Sequence, residues 1–193
     1  MPSNPMIPLT SPVLRGNEWR YLKECLDTGW VSSSGPFVEK FERSVADRVG
    51  LPHAVAVMNG TAALHMALRV CGLEPDDEVI VSNLTFVAPV NAIRYCGAHP
   101  VLMDAHPETW QMDTEKVARF LEEECVMKDG GCYNKRTSRR VRALLPVHIL
   151  GSACRMDRLV DLAKRYSIHV VEDACEGMGV FYKSRCVGTF GDV

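Results

Sequence analysis

At 193 residues, 47% hydrophobic and 24% charged, the chain has a globular composition and the length of one ordinary α/β domain, so a second complete domain does not fit. A formal charge of -2 and a pI near 6.3 provide no electrostatic reason to expect nucleic acid or an anionic membrane as the main partner, leaving small molecules and proteins. No apolar run approaches the ~20 residues that span a bilayer, and Met1 to Thr10 lacks the basic start and apolar stretch of a signal peptide, so a cytoplasmic location is expected.

A Pro-rich arm from Pro2 leads to a helix expected near Asn17 to Asp27, a loop from Gly29 to Pro36 and a helix from Phe37 to Val49. From about residue 53, short apolar runs alternate with helical periods, the pattern that builds parallel sheets through βαβ units. His53 to Met58 reads as a strand, and Asn59-Gly60-Thr61 opens a helix through Val70 that Gly72 closes. Glu78 to Ser82 is a strand, Phe86 to Tyr95 a helix, and Pro100 to Met103 a short buried strand. Asp113 caps a helix to about Glu124. Ala143 to His148 is the next strand, Met156 to Tyr166 a helix, His169 to Glu172 a strand, and Val180 to Val187 a hairpin turning at Lys183-Ser184.

Between them, Val126 to Arg142 is rich in Gly, Lys and Arg and reads as an inserted hairpin, or more blandly as a solvated surface excursion. The organisation is therefore an arm with helices over residues 1–50 and an α/β domain over 51–193, with the insertion at about 126–142. The eight cysteines, at 25, 71, 96, 125, 132, 154, 175 and 186, show no C-x-x-C pair and no histidines at metal-ligand spacing. Reduced, mostly buried thiols and no metal site are expected. Cys125 and Cys132 are the one close pair that could meet across a hairpin.

Gly60-Thr61 falls where a strand yields to a helix, so free backbone N–H groups and the positive end of the helix dipole converge on a spot suited to a phosphate. Taken alone, the same residues read more simply as a plain N-cap. Asp173 ends a strand at the carboxyl edge, where open α/β sheets place their ligands, and could either face a ligand or cap the next segment. Phe86, at the same edge, offers an aromatic face to a flat ring, or packs in the core. His148 reads most simply as a satisfied structural histidine. The convergence of a phosphate cradle, an aromatic and a carboxylate on one edge gives the functional reading its weight.

In order along the chain, Gly29-Trp-Val-Ser-Ser-Ser-Gly-Pro-Phe-Val38, Asn59-Gly-Thr-Ala-Ala-Leu-His65, Asp77-Glu-Val-Ile-Val81, Asn83-Leu-Thr-Phe86, Asn91-Ala-Ile-Arg-Tyr95, Pro146-Val-His148, Glu172-Asp-Ala174 and Gly188-Thr-Phe-Gly-Asp192 resemble the DegT/DnrJ/StrS family of pyridoxal 5′-phosphate (PLP)-dependent sugar aminotransferases. The resemblance implies a three-layer α/β/α fold with a mostly parallel sheet, the large domain of PLP transferase fold type I, usually in a homodimer. It implies amino transfer from a donor, usually glutamate, to a nucleotide-linked 4-keto-sugar in cell-surface polysaccharide biosynthesis.

By the same likeness Gly60, Thr61 and Ala62 would hold the PLP phosphate, Phe86 would stack on the ring, Asp173 would pair with the pyridine nitrogen and Glu176 would lie near the ring hydroxyl. Trp30, Ser33 and His148 would reach the sugar, Trp30 and Ser33 being equally readable as loop anchors. The basic insertion resembles the branch that makes legionaminic acid, bacillosamine or perosamine-type amino sugars. In the family the lysine that joins PLP covalently follows Gly-Asp-Val, so it would lie beyond Val193 together with the small C-terminal domain, and this chain alone is expected to turn over little or nothing. Two other readings stay open: a PLP-dependent sugar dehydratase with histidine in place of that lysine, and a non-catalytic chain that pairs with a homologue. A nicotinamide-binding domain is disfavoured, since no G-x-G-x-x-G follows an expected strand.

Overall fold

The computed structural model describes residues 6–8 and 11–193; the expected arm from Pro2 lies largely outside them. The chain forms two compact units, one through Phe41 and one from Glu42 onward. In the first, helix α1 (Glu18–Thr28) ends at Gly29, whose φ of 73° is the left-handed conformation that Gly adopts without strain. Helix α2 (Pro36–Val49) opens on Pro36, a first-turn position at which no intrahelical N–H is lost. Near its start the Tyr21 and Phe37 rings lie 5.1 Å apart.

The second unit is built around one sheet. Helix α3 (Gly60–Val70) precedes β1 (Glu78–Ser82), and α4 (Ala88–Tyr95) precedes β2 (His99–Met103). Helix α5 (Thr114–Arg119) runs on through a π-helical turn at Phe120–Glu124 into the antiparallel hairpin β3 (Cys125–Lys128) and β4 (Gly131–Asn134). Strand β5 (Arg140–Leu145), a 3₁₀ turn at Ile149–Gly151, helix α6 (Met156–Tyr166) and β6 (His169–Val170) follow, and β7 (Phe181–Tyr182) with β8 (Arg185–Cys186) forms a separate hairpin. The sheet order is β2-β1-β5-β4-β3, with β6 also on β5. Strands β2, β1, β5 and β6 are parallel, Ile80 standing beside Val101 on one side and Leu144 on the other.

The two faces of the sheet explain its apolar runs. Every residue of β1 is buried, as an inner parallel strand covered on both faces requires. Side chains alternate: Val79, Val81, Ala143 and Leu145 pack with Leu64, Leu68 and Ile93 of α3 and α4 on one face, while Ile80 and Leu144 pack with Val117, Leu159 and Leu162 of α5 and α6 on the other, joined there by Val141 because the register shifts at Arg142. This is the three-layer α/β/α arrangement. Helix α3 ends in the left-handed cap expected of Gly72: φ is 71°, its N–H bonds the Arg69 carbonyl, and the Leu73 N–H bonds that of Leu68.

Several expectations need correction. Residues His53 to Met58 form no strand. No neighbouring strand pairs with them among the described residues, and Val55 is 81% exposed. The strand expected over Ala143 to His148 begins earlier, at Arg140, and ends at Leu145 because Pro146 has no N–H for the ladder. Its neighbour β6 correspondingly covers only His169 and Val170, although Val147 and Asp173 still meet in an isolated parallel bridge. Helix α4 starts at Ala88 rather than Phe86, with Pro89 in its first turn. The 126–142 segment is a hairpin but no free excursion: β4 pairs with β5, Cys132 is fully buried, and the buried Glu78 carboxylate accepts hydrogen bonds from Asn134 Nδ2 at 2.9 Å and Thr137 Oγ1 at 2.7 Å.

All eight cysteines are free thiols, six of them buried. Cys125 and Cys132 lie diagonally across the β3–β4 hairpin; hydrogen bonding to Cys132 and burial push the Cys125 thiol well up. Among the described residues no helix is long and apolar enough to cross a membrane, and no group of three or more His, Cys, Asp or Glu could hold a metal ion.

Candidate active site

At the carboxyl edge of the sheet, the N-terminus of α3 and the segments following β1, β5 and β6 enclose a cavity of about 500 Å³, lined among others by Gly60, Thr61, Phe86, His148, Asp173 and Glu176. All of its lining comes from the second unit. Trp30 and Ser33 belong to the first, where the Trp30 ring lies against Gly35.

One end of the cavity is formed by the first turn of α3. Asn59 has extended backbone and caps α3, its Oδ1 accepting the Ala62 N–H at 2.9 Å. The Ala62 amide is thereby used within the protein, whereas the Gly60 and Thr61 N–H groups, in the first turn, have no intrahelical acceptor and sit at the positive end of the helix dipole. Gly60 is required by close approach: a Cβ there would lie 2.6 Å from Cys175 Sγ. The cysteine forms the wall opposite the helix. Loss of solvent, and then hydrogen bonding to the Asp173 carboxylate, push its thiol up to about 12.

The other end is acidic. Asp173 is 6% exposed, and its Oδ1 accepts the Cys175 N–H at 3.1 Å. A carboxylate has about four acceptor positions, so Asp173 retains capacity for a ligand's N–H. Glu176 also lines the cavity, but its carboxylate accepts the Leu150 N–H at 2.6 Å and holds that residue at a φ of 55° in the turn after β5. Phe86 borders this space and is 79% exposed, more open than core packing would leave it.

His148 borders the cavity with its side chain fully buried. The Cys154 N–H donates to Nδ1 at 3.1 Å, so Nε2 carries the proton and donates to Glu172 Oε2 at 3.1 Å. Both ring nitrogens are thus engaged within the protein. Glu172 was assigned no role from sequence. It also accepts N–H groups of Gly188, Phe190 and Gly191 at 2.9, 2.5 and 2.6 Å. The signal that could have found it is an acid at the end of an otherwise apolar Val170-Val171 run, immediately before Asp173. Burial pushes its carboxyl up, but His148 and the Gly191 and Gly188 amides more than offset this, so it lies below the ordinary 4.5.

No lysine is among the lining residues. Lys183 stands at the β7–β8 turn, where Lys183 and Ser184 both have positive φ, and its Nζ bonds Asp157 Oδ2 at 2.6 Å. That bond raises its pKa and keeps the exposed ammonium protonated.

A mostly parallel sheet covered on both faces, with a helix N-terminus and a buried carboxylate lining one cavity at its carboxyl edge, has the architecture of a cofactor-binding α/β protein. Residues 12–193 match the DegT/DnrJ/EryC1/StrS aminotransferase family, and the chain belongs to that family. It is 41% identical to the GDP-perosamine synthase of Caulobacter vibrioides over 97% of its own length and 46% of that protein. The X-ray structure of the aminotransferase from Psychrobacter cryohalolentis superposes with a TM-score of 0.81 at 29% identity, covering 95% of this chain and 43% of the other. NtdA from Bacillus subtilis with bound cofactor PMP gives 0.71 at 31% identity, over 83% and 33%. The fold is that of the PLP-dependent transferases, and the family's cofactor is PLP. The chain spans about half the length of the curated relatives it matches.

Proposed function

We propose that this chain forms the cofactor-holding part of a PLP-dependent aminotransferase whose substrate is a nucleotide-linked keto-sugar and whose amino donor is an amino acid such as glutamate. The observation that carries the reading is the polarity of the cavity, an anion cradle at Gly60-Thr61 at one end and the buried Asp173 carboxylate at the other. A phosphate joined to a flat ring with a protonated nitrogen matches both ends. Similarity to GDP-perosamine synthases supports the nucleotide-sugar class.

The residues present fit the group. The Gly60 and Thr61 amides and the Thr61 hydroxyl receive the phosphate, with Gly60 keeping the helix close to the Cys175 wall. Phe86 covers one face of the ring. The Asp173 carboxylate holds a proton on the ring nitrogen, and burial in a site of low dielectric strengthens that interaction. Bound in this way, PLP supplies an electron sink for chemistry at the amino carbon. Glu176 shapes the wall near the ring by fastening the Leu150 turn.

The test is an absorbance titration of the purified chain with PLP. Wild type binds reversibly, and Asp173→Ala weakens binding at least about tenfold, the equivalent of ~1.4 kcal/mol. Borohydride leaves no cofactor attached, because no lysine lines the cavity. Equal affinity in wild type and Asp173→Ala, or covalent capture on a lysine of this chain, would overturn the assignment.

A further inference from the structure

Glu172 and His148 stand behind the cavity and fasten it. Glu172 is turned into the protein, where its side chain is 1% exposed, while its neighbour Asp173 lines the cavity. Four donors converge on it: His148 Nε2 and the N–H groups of Gly188, Phe190 and Gly191. The turn so held is seated tightly, since a Cβ at Gly191 would lie 2.5 Å from the Val170 carbonyl oxygen. Asp173 is gripped from the neighbouring strand end: its N–H bonds the Pro146 carbonyl and its carbonyl accepts the His148 N–H, each at 3.0 Å. The residue after β5 whose backbone holds Asp173 is therefore the one whose ring holds Glu172, and Glu172 is covalently joined to Asp173.

We infer that the buried Glu172–His148 pair is a positioning device that sets the Asp173 carboxylate at the cavity edge, an inference that rests on the proposed cofactor site. Neither side chain needs to touch the ring. Both act through the backbone on each side of Asp173, and supporting groups of this kind decide whether a polar group meets its ligand at bonding distance. The phosphate cradle lies on α3 and takes no hydrogen bond from the pair, so the two ends of the cavity should respond differently to its loss.

The experiment compares the affinity of this chain for two probes, PLP and inorganic phosphate, under conditions where circular dichroism shows each variant folded. Glu172→Gln places an amide N–H against backbone donors and should weaken PLP about tenfold while leaving phosphate within about twofold. His148→Gln retains an N–H that reaches Glu172 and should stay within about threefold of wild type for PLP. His148→Asn replaces the Nδ1 acceptor but falls short of Glu172, and should lose PLP as Glu172→Gln does. If Glu172→Gln does not fold, the two His148 variants carry the same comparison.

Parallel loss of both probes would reduce the pair to a structural support and overturn the inference. So would unchanged PLP affinity in Glu172→Gln and His148→Asn while Asp173→Asn loses it, and in that case the cofactor reading survives. A wild-type chain that binds no PLP, or one that Asp173→Asn leaves unweakened, removes the cofactor reading itself and this inference with it.

Discussion

The contact between Gly60 and Cys175 couples helix geometry to the acidic end of the cavity. Gly60 is the first residue of α3 and has no positive φ, so nothing in its backbone demands glycine, and alanine would favour the helix by up to about 1 kcal/mol. Against this, the added Cβ would lie 2.6 Å from Cys175 Sγ. The exposed thiol must rotate away and surrender its hydrogen bond to Asp173, a loss of about 1 kcal/mol. Gly60→Ala should therefore be less favourable with Cys175 present than in a Cys175→Ala background by about 1 kcal/mol, read from urea unfolding of the four chains. Zero coupling would mean that the thiol relaxes without cost and that the close approach has no consequence for the site.

At the scale of elements, the insertion shows what residue patterns convey and what they omit. Its composition and turn signals gave a hairpin, but a basic, Gly-rich segment cannot reveal that β4 will pair with β5 or that Asn134 and Thr137 will satisfy the carboxylate at the start of β1. Glu78 is 3% exposed, so losing one donor leaves part of a buried carboxylate unpaired. Asn134→Ala should cost about 1–3 kcal/mol in chemical denaturation, several times the effect of an exposed substitution such as Lys128→Ala. A cost below about 0.5 kcal/mol would mean that water replaces the lost donor.

The same distinction accounts for the other differences. Apolar periodicity located α3, α4, α5 and α6 and the runs of β1 and β5, because those signals arise from burial, which the sheet then supplies on both faces. His53 to Met58 carries the same signal without a partner strand, and apolar side chains make no ladder without one. Of the candidate site, the helix start at Gly60-Thr61 and the placing of Asp173 at the cavity were legible because a helix start and a strand end have local signatures. The fastening by Glu172 and His148 was not, since it joins residues 148, 154, 172 and 188–191, which only the folded chain brings together.

At the scale of the whole molecule, that fastening makes stability depend on acidity. Glu172 titrates below its ordinary value when folded, so its ionised form stabilises the fold fully above the unfolded value of 4.5, and that contribution disappears as pH falls through the lower folded value. Asp104 and Asp157 are lowered too, chiefly by hydrogen bonds from Lys116 and Lys183, and buried Asp77 is raised. These are present in every variant and cancel in a difference between two chains. At pH 7, Glu172→Gln should cost about 2–4 kcal/mol, because charge-assisted bonds to a buried carboxylate are lost and the amide brings a donor to a place that already has four. As the pH falls below 4.5 the unfolded chain takes up this proton before the folded one does, and the difference between the two urea midpoints should shrink as the pH is lowered toward 3. A gap that stays constant from pH 7 to pH 3 would show that Glu172 contributes through shape rather than charge. The Gly188–Gly191 turn would then be held by packing against Val170, and the four donors would converge on an oxygen pair whose ionisation the fold does not use.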